Sequence, residues 1–366
     1  MKKGKNILVH ICCSVDSHFF LQKLQNDFPH EKLIAFFYDP NIHPYSEYQL
    51  RLLDVKHSCK KLGIELIEGE YDYESWLNAV SGLENEPEKG KRCQICFERR
   101  FEVSAKKAQE IGEKTFTSTL LVSPLKSQQQ LKSSGELFLK RYGVKFLTLD
   151  YRSGGGTQLQ SQVTKKEQLY RQDYCGCIYG LSKQRKAQNK LLDELFSPIS
   201  NQILPASIEE RLKLYQKRIK LEENGIAYKI IKEKFLNYRQ FNLKVIQEKK
   251  IIPAYALFYS KLPRKKTQGR VEFEHDNISY LNRDEVRFIT LEFFNSHIKN
   301  NYKTIKELIF NPPDIKTELN FRDILVCANY NLNPIIIVEK IPHTKVIIEL
   351  DANVYEDTKE RLIVLD

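Results

Sequence analysis

Apolar residues in the first half of the chain follow two alternating rhythms. Short unbroken runs read as buried strands, and the segments between them carry apolar residues at helical spacing. Asn6 to Cys12 is the first such strand, followed by a helix over Asp16 to Asn26 with Phe19, Phe20 and Leu24 on one face. Lys32 to Tyr38 (KLIAFFY) is the second strand, and Asp39-Pro40-Asn41 breaks it. Ser46 with Gln49 spells a capping box for a helix reaching Lys61, with Gly63 as its stop. Ile64 to Ile67 reads as a strand, Tyr73 to Val80 as a helix, and Gly82 to Gly90 as an acidic loop. A long helix begins near Cys93 or Cys96 and runs to Ile111. Phe116 to Val122 is a strand, and Ser123-Pro124 opens a helix reaching Tyr142. Val144 to Leu149 follows as a strand, then a glycine-rich loop over Arg152 to Thr157. Thr164 and Glu167 cap a short helix before Cys175.

Strands alternating with helices predict an α/β fold with a Rossmann-like, doubly wound parallel sheet. Ligands in such sheets sit at the carboxyl ends of the strands. Cys12 and Cys13 leave the first strand at that edge, Tyr38, Asp39, Asn41 and His43 leave the second, and Ser118 to Ser123 and Asp150 to Arg152 leave two more.

The pattern changes past Phe196. Residues 197–205 read as a linker between a domain over residues 1–196 and an α+β extension over residues 206–366. Ser207 with Glu210 caps an amphipathic helix that stops at Asn224-Gly225. Mixed elements come next, including Arg287 to Ile298. The apolar runs Ile335 to Val338 and Lys345 to Leu350 read as a hairpin turning at Ile341-Pro342-His343-Thr344. Lys261 to Arg270 is a basic loop, more simply a solvated charge run than a binding site. No catalytic constellation stands out in the extension.

Composition adds limits. Hydrophobic residues make up 41% and charged residues 29% of 366, a globular balance. No apolar run is long enough to cross a bilayer, and the run after MKKGKN is short and interrupted by His10, so a cytoplasmic protein is expected. The net charge of +11 is spread evenly over both halves and points only weakly to a polyanionic partner.

Cysteine changes the picture most. Six of the eight cysteines form three pairs, Cys12/Cys13, Cys93/Cys96 and Cys175/Cys177, and Asp16 adds a carboxylate. In a reducing compartment such clusters indicate metal or redox chemistry rather than disulfides. Cys93 and Cys96 open a helix after Gly90-Lys91-Arg92, which favours thiolates. Gly176 lets Cys175 and Cys177 face one centre. Six thiols exceed what one tetrahedral zinc or one iron–sulfur cluster uses, so two adjacent centres, or one centre and a redox dithiol, are expected. A structural zinc site built from two pairs is the plainer alternative. Cys59 and Cys327 lie within apolar surroundings and read as core.

The first half resembles the epoxyqueuosine reductases of the QueH type over residues 5 to about 180. The resemblance rests on HICC (His10 to Cys13), FFYDPNIHPYSEY (Phe36 to Tyr48) and IEGEYDYESW (Ile67 to Trp76). It continues through GLENEPEKGKRCQICFERR (Gly82 to Arg100), TSTLLVSPLKS (Thr117 to Ser127) and YRQDYCGCIYG (Tyr170 to Gly180). It implies an adenine-nucleotide-hydrolase-like fold, a [4Fe–4S] cluster with an adjacent single iron, and the last step of queuosine biosynthesis. That step removes the epoxide oxygen of epoxyqueuosine at the wobble position of tRNA. The implied metal ligands are Cys12, Cys13, Asp16, Cys93, Cys96, Cys175 and Cys177. One division gives Cys13, Asp16, Cys93 and Cys96 to the cluster and Cys12, Cys175 and Cys177 to the lone iron; the assignment is open at this point.

Under that implication the epoxide takes up two electrons, from an external donor through the cluster, and two protons. Tyr38, Asp39 and His43 are the candidate proton donors; His10, within a strand, reads at least as readily as a core histidine. Arg99, Arg100, Lys126, Arg152 and Arg171 form a pool for tRNA backbone contacts, with Tyr151 or Tyr170 for stacking. Two rivals remain. CCSVDS (Cys12 to Ser17) sits where PP-loop ATPases carry SGGxDS, but Cys13 and Ser14 replace the glycines that let a phosphate approach. The other rival is a zinc-stabilised tRNA-binding protein without turnover.

Overall fold

The structure is a computed structural model that describes residues 6–123, 126–326 and 331–365. The expected helix opening at Pro124 and the core assignment of Cys327 lie outside those residues. The chain divides into two compact units, one of residues 1–195, 211–230 and 364–366 and the other of residues 196–210 and 231–363.

In the first unit, strands β1 (Ile7–Ile11), β2 (Leu33–Phe37), β3 (Glu65–Glu68), β4 (Thr115–Ser118) and β5 (Lys145–Phe146) form one parallel sheet in the order β3-β2-β1-β4-β5. β1 is central, with Val9 paired to Ala35 on one side and Thr117 on the other. Every residue of β1 and β2 is buried, which is why both read as unbroken apolar runs. Burying side chains such as Leu8, Val9 and Phe37 contributes about 1.5–3 kcal/mol each. Connecting helices are α1 (Ser14–Asp27), α2 (Tyr45–Leu62), α3 (Tyr73–Ala79), α4 (Lys91–Glu110), α5 (Gln128–Tyr142), α6 (Gly156–Lys166) and α7 (Ile178–Ala187). The sheet order reverses between β1 and β4, so the crevice for a ligand opens there.

Several local expectations are corrected. α2 starts at Tyr45 with Pro44 in the cap position and no side-chain cap, so Ser46 and Gln49 form no capping box. The fourth strand stops at Ser118; Thr119–Leu121 is a 3₁₀ turn in which the Leu120 amide donates to the Ser118 hydroxyl. The fifth strand shrinks to Lys145–Phe146. The glycine-rich loop starts α6, with Gly155 at φ 86°, and Thr164 lies inside that helix, donating to Gln160 O at 2.8 Å.

A further helix, α8 (Ile208–Glu223), is capped by Ser207, whose hydroxyl accepts from Glu210 N at 3.2 Å, and its chain turns away at Gly225, φ 66°. Residues 211–230, beyond the expected linker, fold into the first unit.

The second unit holds two sheets. One, ordered β10-β11-β12-β13-β8, contains β8 (Ala254–Ala256), β10 (Val271–His275), β11 (Ile278–Leu281), β12 (Arg287–Thr290) and β13 (Ile335–Val338). The other, β7-β6-β14-β9, contains β6 (Tyr228–Gln247), β7 (Lys250–Ile252), β9 (Lys266–Gly269) and β14 (Val346–Val364). The runs beginning at Ile335 and Val346 therefore enter different sheets and make no hairpin. Ile335–Val338 instead pairs in parallel with Arg287–Thr290, burying all four of its side chains. The basic loop is in part strand β9, and Lys265 and Lys266 pair with Asp351 and Glu349 at 2.6 and 3.0 Å.

Candidate metal centre

The loop leaving β1 turns straight into α1, and this tight exit gathers three ligands. Cys12 Sγ lies 3.8 Å from Cys13 Sγ and 3.8 Å from Asp16 Oδ2. The ligand atoms of Cys12, Cys13 and Asp16 all fall within 4.8 Å of one another, and all three residues are buried. Thr119 Oγ1, at the end of β4, stands 3.7 Å from Cys12 Sγ, and Gln160 Nε2 of α6 donates to Asp16 Oδ1 at 2.7 Å. Burial, then the Cys12 charge, pushes the Asp16 carboxyl up to about 8. The Cys13 thiol, helped by the nearby Arg100 guanidinium, favours the Cys12 thiolate.

The other four cysteines come from two places. Cys93 and Cys96 occupy the first turns of α4, and Cys175 and Cys177 precede α7. Cys96 and Cys177 are buried around Trp76 and Val80, with Cys175 packed against them. The charges of Cys175 and Cys93 are both felt at Cys96. Without a metal bound, burial pushes the Cys96 thiol up to about 12. Cys175 is drawn down, chiefly by hydrogen bonding with Cys177.

The segment 174–177 is tied to the exit of β2. Arg51 of α2 donates to Tyr174 O at 3.0 Å and Cys175 O at 3.3 Å, held by Glu47 at 2.7 Å. His43 N donates to Gly176 O at 2.9 Å. Gly176 has φ 98°, and a Cβ there would stand 2.8 Å from Ile42 Cγ1, so glycine is required by both conformation and space. Cys12, Asp16, Cys93, Cys96, Cys175 and Cys177 line one cavity of about 240 Å³ at the carboxyl edge of the sheet. Cys13 sits behind it, buried in the core. Among the described residues Cys12, Cys13 and Asp16 are the set that converges within 4.8 Å; Cys96, Cys175 and Cys177 pack together elsewhere on the cavity and Cys93 lines it as well, a supply of thiol donors that suits a metal site.

The remaining predicted residues fare unevenly. Tyr38, Asp39 and His43 do not line the cavity. Tyr38 OH donates to Asp72 at 2.9 Å, the His43 ring stacks on Tyr73 at 4.9 Å, and Asp39 pairs with Arg100. His10 is a core histidine, bonded to Ser118 Oγ at 2.8 Å and Tyr38 O at 3.0 Å. Arg99, Arg100 and Arg152 are held by partners within the chain. Arg99 pairs with Asp72 at 2.5 Å, Arg100 is buried against Asp39, and Arg152 donates to the carbonyls of Leu121 and Lys126 at 2.7 and 2.8 Å. Tyr151 and Tyr170 are likewise engaged, by Asp27 at 2.6 Å and Glu47 at 2.7 Å. Arg100, Lys126 and Arg171 line the cavity. The Lys126 ammonium loses hydration there but gains from the charges of Cys175, Cys93 and Cys96, which raise its pKa, and it lies 5.5 Å from the Phe97 ring centroid. Sequence reasoning missed Arg51 and Gln160; the Glu47–Arg51 spacing of four on one helix was the only trace of the former.

No helix among the described residues is long and apolar enough to cross a membrane. The family model described as epoxyqueuosine reductase QueH matches residues 7–183. The Helicobacter pylori protein of that name is 38% identical over 369 residues, covering 96% of this chain and 99% of its own length. Those of Histophilus somni and Thermotoga maritima are 37% and 34% identical over 184 and 183 residues, each covering 49% of this chain and 74% and 92% of their own.

Proposed function

The chain belongs to the epoxyqueuosine reductase QueH family, and from that premise we propose how its residues carry the reaction. The enzyme is an oxidoreductase: two electrons and two protons convert the epoxide of epoxyqueuosine to an alkene, and the oxygen leaves as water. In our reading the substrate is carried at the wobble position of a tRNA, a polyanion suited to a chain of net charge +11. Electrons come from an external donor.

Cys93, Cys96, Cys175 and Cys177 would hold a [4Fe–4S] cluster, and Cys12, Cys13 and Asp16 a single iron with room for a further ligand. The observation that carries this reading is the convergence of Cys12, Cys13 and Asp16 within 4.8 Å beside a cavity lined by the other four thiols. When bound, such groups supply electrons one at a time and a Lewis acid for an oxygen. Around them the protein acts in ordinary ways. Gln160 fixes one Asp16 oxygen, leaving Oδ2 toward Cys12. Trp76 and Phe97 keep water from the buried thiols. Lys126 holds a proton at Nζ inside the cavity and is assigned as donor to the departing oxygen. Arg171, exposed at the cavity, offers a charge to the tRNA backbone.

Anaerobic reconstitution, iron and sulfide counting, visible absorption, and turnover of epoxyqueuosine-bearing tRNA with subsequent nucleoside analysis test the proposal. Cys93→Ala and Cys175→Ala should abolish product, while Cys59→Ala, buried in the core away from the cavity, should retain it. A protein that binds zinc alone and shows no iron-dependent absorption would overturn the reading.

A further inference from the structure

Helix α8 lies outside residues 7–183, yet residues 211–230 are part of the first unit. Its inward stripe, Arg211, Tyr215, Arg218 and Glu222, follows helical spacing but is polar and aromatic rather than aliphatic. Arg218 is fully buried. Its Nη1 stands 2.9 Å from Asp54 Oδ1 and donates to Gln168 O at 2.7 Å, and its Nε lies 3.2 Å from Glu222 Oε1. Asp54, on α2, is also fully buried. Its other oxygen, Oδ2, accepts from the hydroxyl of Ser14 and from Tyr170 N at 2.9 Å.

Those two donors belong to two of the cysteine-bearing segments. Ser14 comes directly after Cys12 and Cys13 and opens the helix that carries Asp16. Tyr170 begins the segment that runs to Cys175 and Cys177, and its hydroxyl reaches Glu47, the residue that holds Arg51 against Cys175 O. One carboxylate thus fastens both ligand-bearing loops. Arg218 fixes that carboxylate from its other oxygen, through the ion pair at Oδ1.

We propose that Arg218 is a positioning residue for the reductase: by holding the Asp54 carboxylate in place it locks Ser14 and Tyr170, and through them the Cys12–Cys13 loop and the Cys175–Cys177 loop, into one geometry. The helix beyond the family-matched region is therefore a working part of the catalytic unit. This rests on the reading of the seven ligands as a metal centre.

The test compares wild type, Arg218→Met and Arg218→Lys with a core-cavity control, Leu24→Ala, at the far end of α1. Each is measured for metal-free Tm, bound iron and sulfide, the electron paramagnetic resonance spectrum of the reduced protein, and kcat and KM. Outer residues that orient metal ligands typically matter about 10–100-fold, so Arg218→Met should lose about tenfold or more in kcat per bound cluster with an altered spectrum and KM within about twofold. Arg218→Lys keeps the charge but not the fork to Gln168 O, and should lose about threefold with a smaller spectral change. The proposal is overturned if Arg218→Met folds with the wild-type spectrum and kcat. It is equally overturned if Leu24→Ala, at the same fall in Tm, loses as much. Should Arg218→Met fail to fold, Arg218→Lys decides, and a wild-type spectrum and kcat there refute the idea. A wild type without iron or turnover would instead remove the metal-centre reading itself.

Discussion

Asp39 and Arg100 meet with almost no water around them, 0% and 4% exposed. Arg100 lines the cavity and also faces Cys12. Burial costs an ion several kcal/mol, which a close counter-charge offsets. Arg100→Met leaves Asp39 buried without a counter-charge, and should lower the unfolding free energy of the metal-free protein by about 3–5 kcal/mol in denaturant titrations. A change below about 1 kcal/mol would show that water or another cation already serves Asp39. From sequence alone Asp39 looked like an acid and Arg100 like a phosphate contact, because each residue type suits those roles at a strand end or after a cysteine pair. Their pairing spans two elements that are distant in the chain, and no local pattern announces such a partner. The cysteines were legible for the opposite reason: three pairs plus a carboxylate exceed any ordinary core requirement, so the count itself carried the signal.

At the scale of elements, a locally spelled signal was often overruled by its neighbours or by a distant partner. Pro44 takes the cap position of α2 and starts the helix before Ser46 can act, whereas Ser207 and Glu210 cap α8 as written, with Glu210 Oε2 accepting from Ala206 N at 2.7 Å. Two neighbouring apolar runs looked like a hairpin, but Ile335–Val338 finds Arg287–Thr290 as its partner across a long stretch of chain. Parallel pairing of this kind leaves no short-range mark. Gly176 is the case where the local sign was right. Gly176→Ala would force a side chain into a left-handed backbone against Ile42, at a cost of about 1–3 kcal/mol. The expected outcome is a folded protein whose iron content per chain after reconstitution falls well below that of wild type, since Cys175 and Cys177 no longer face one point. Full iron content in the variant would mean that the loop reaches the metal without this turn.

On the scale of the whole molecule, the division into units does not follow the simple order of the chain. The polypeptide leaves the first unit after Leu195, returns for residues 211–230, and leaves again through β6. A chain ending at Phe196 contains the entire family-matched segment yet lacks the partners of Asp54 and His57, Arg218 and Glu222, the latter 2.6 Å from His57 Nε2. Its metal-free Tm should fall by more than about 5 °C relative to the full chain, from the unpaired Asp54 alone. An unchanged Tm would mean that residues 211–230 add nothing to the first unit. Composition suggests a break near residue 197 but no return, because past Ile208 the inward face of α8 is made of arginine, tyrosine and glutamate. Such a face looks like surface until its partners are known.

The same arrangement has a consequence for synthesis. Translation is directional, and Cys177, the last of the seven proposed ligands, precedes Arg218 by 41 residues. At ordinary elongation speeds a ribosome needs roughly 2–8 s to cover that interval. For that time the nascent chain carries the seven proposed ligands on loops whose shared carboxylate has not yet met Arg218, so on that proposal iron delivered during translation would meet an unbraced site and iron delivered afterwards a braced one.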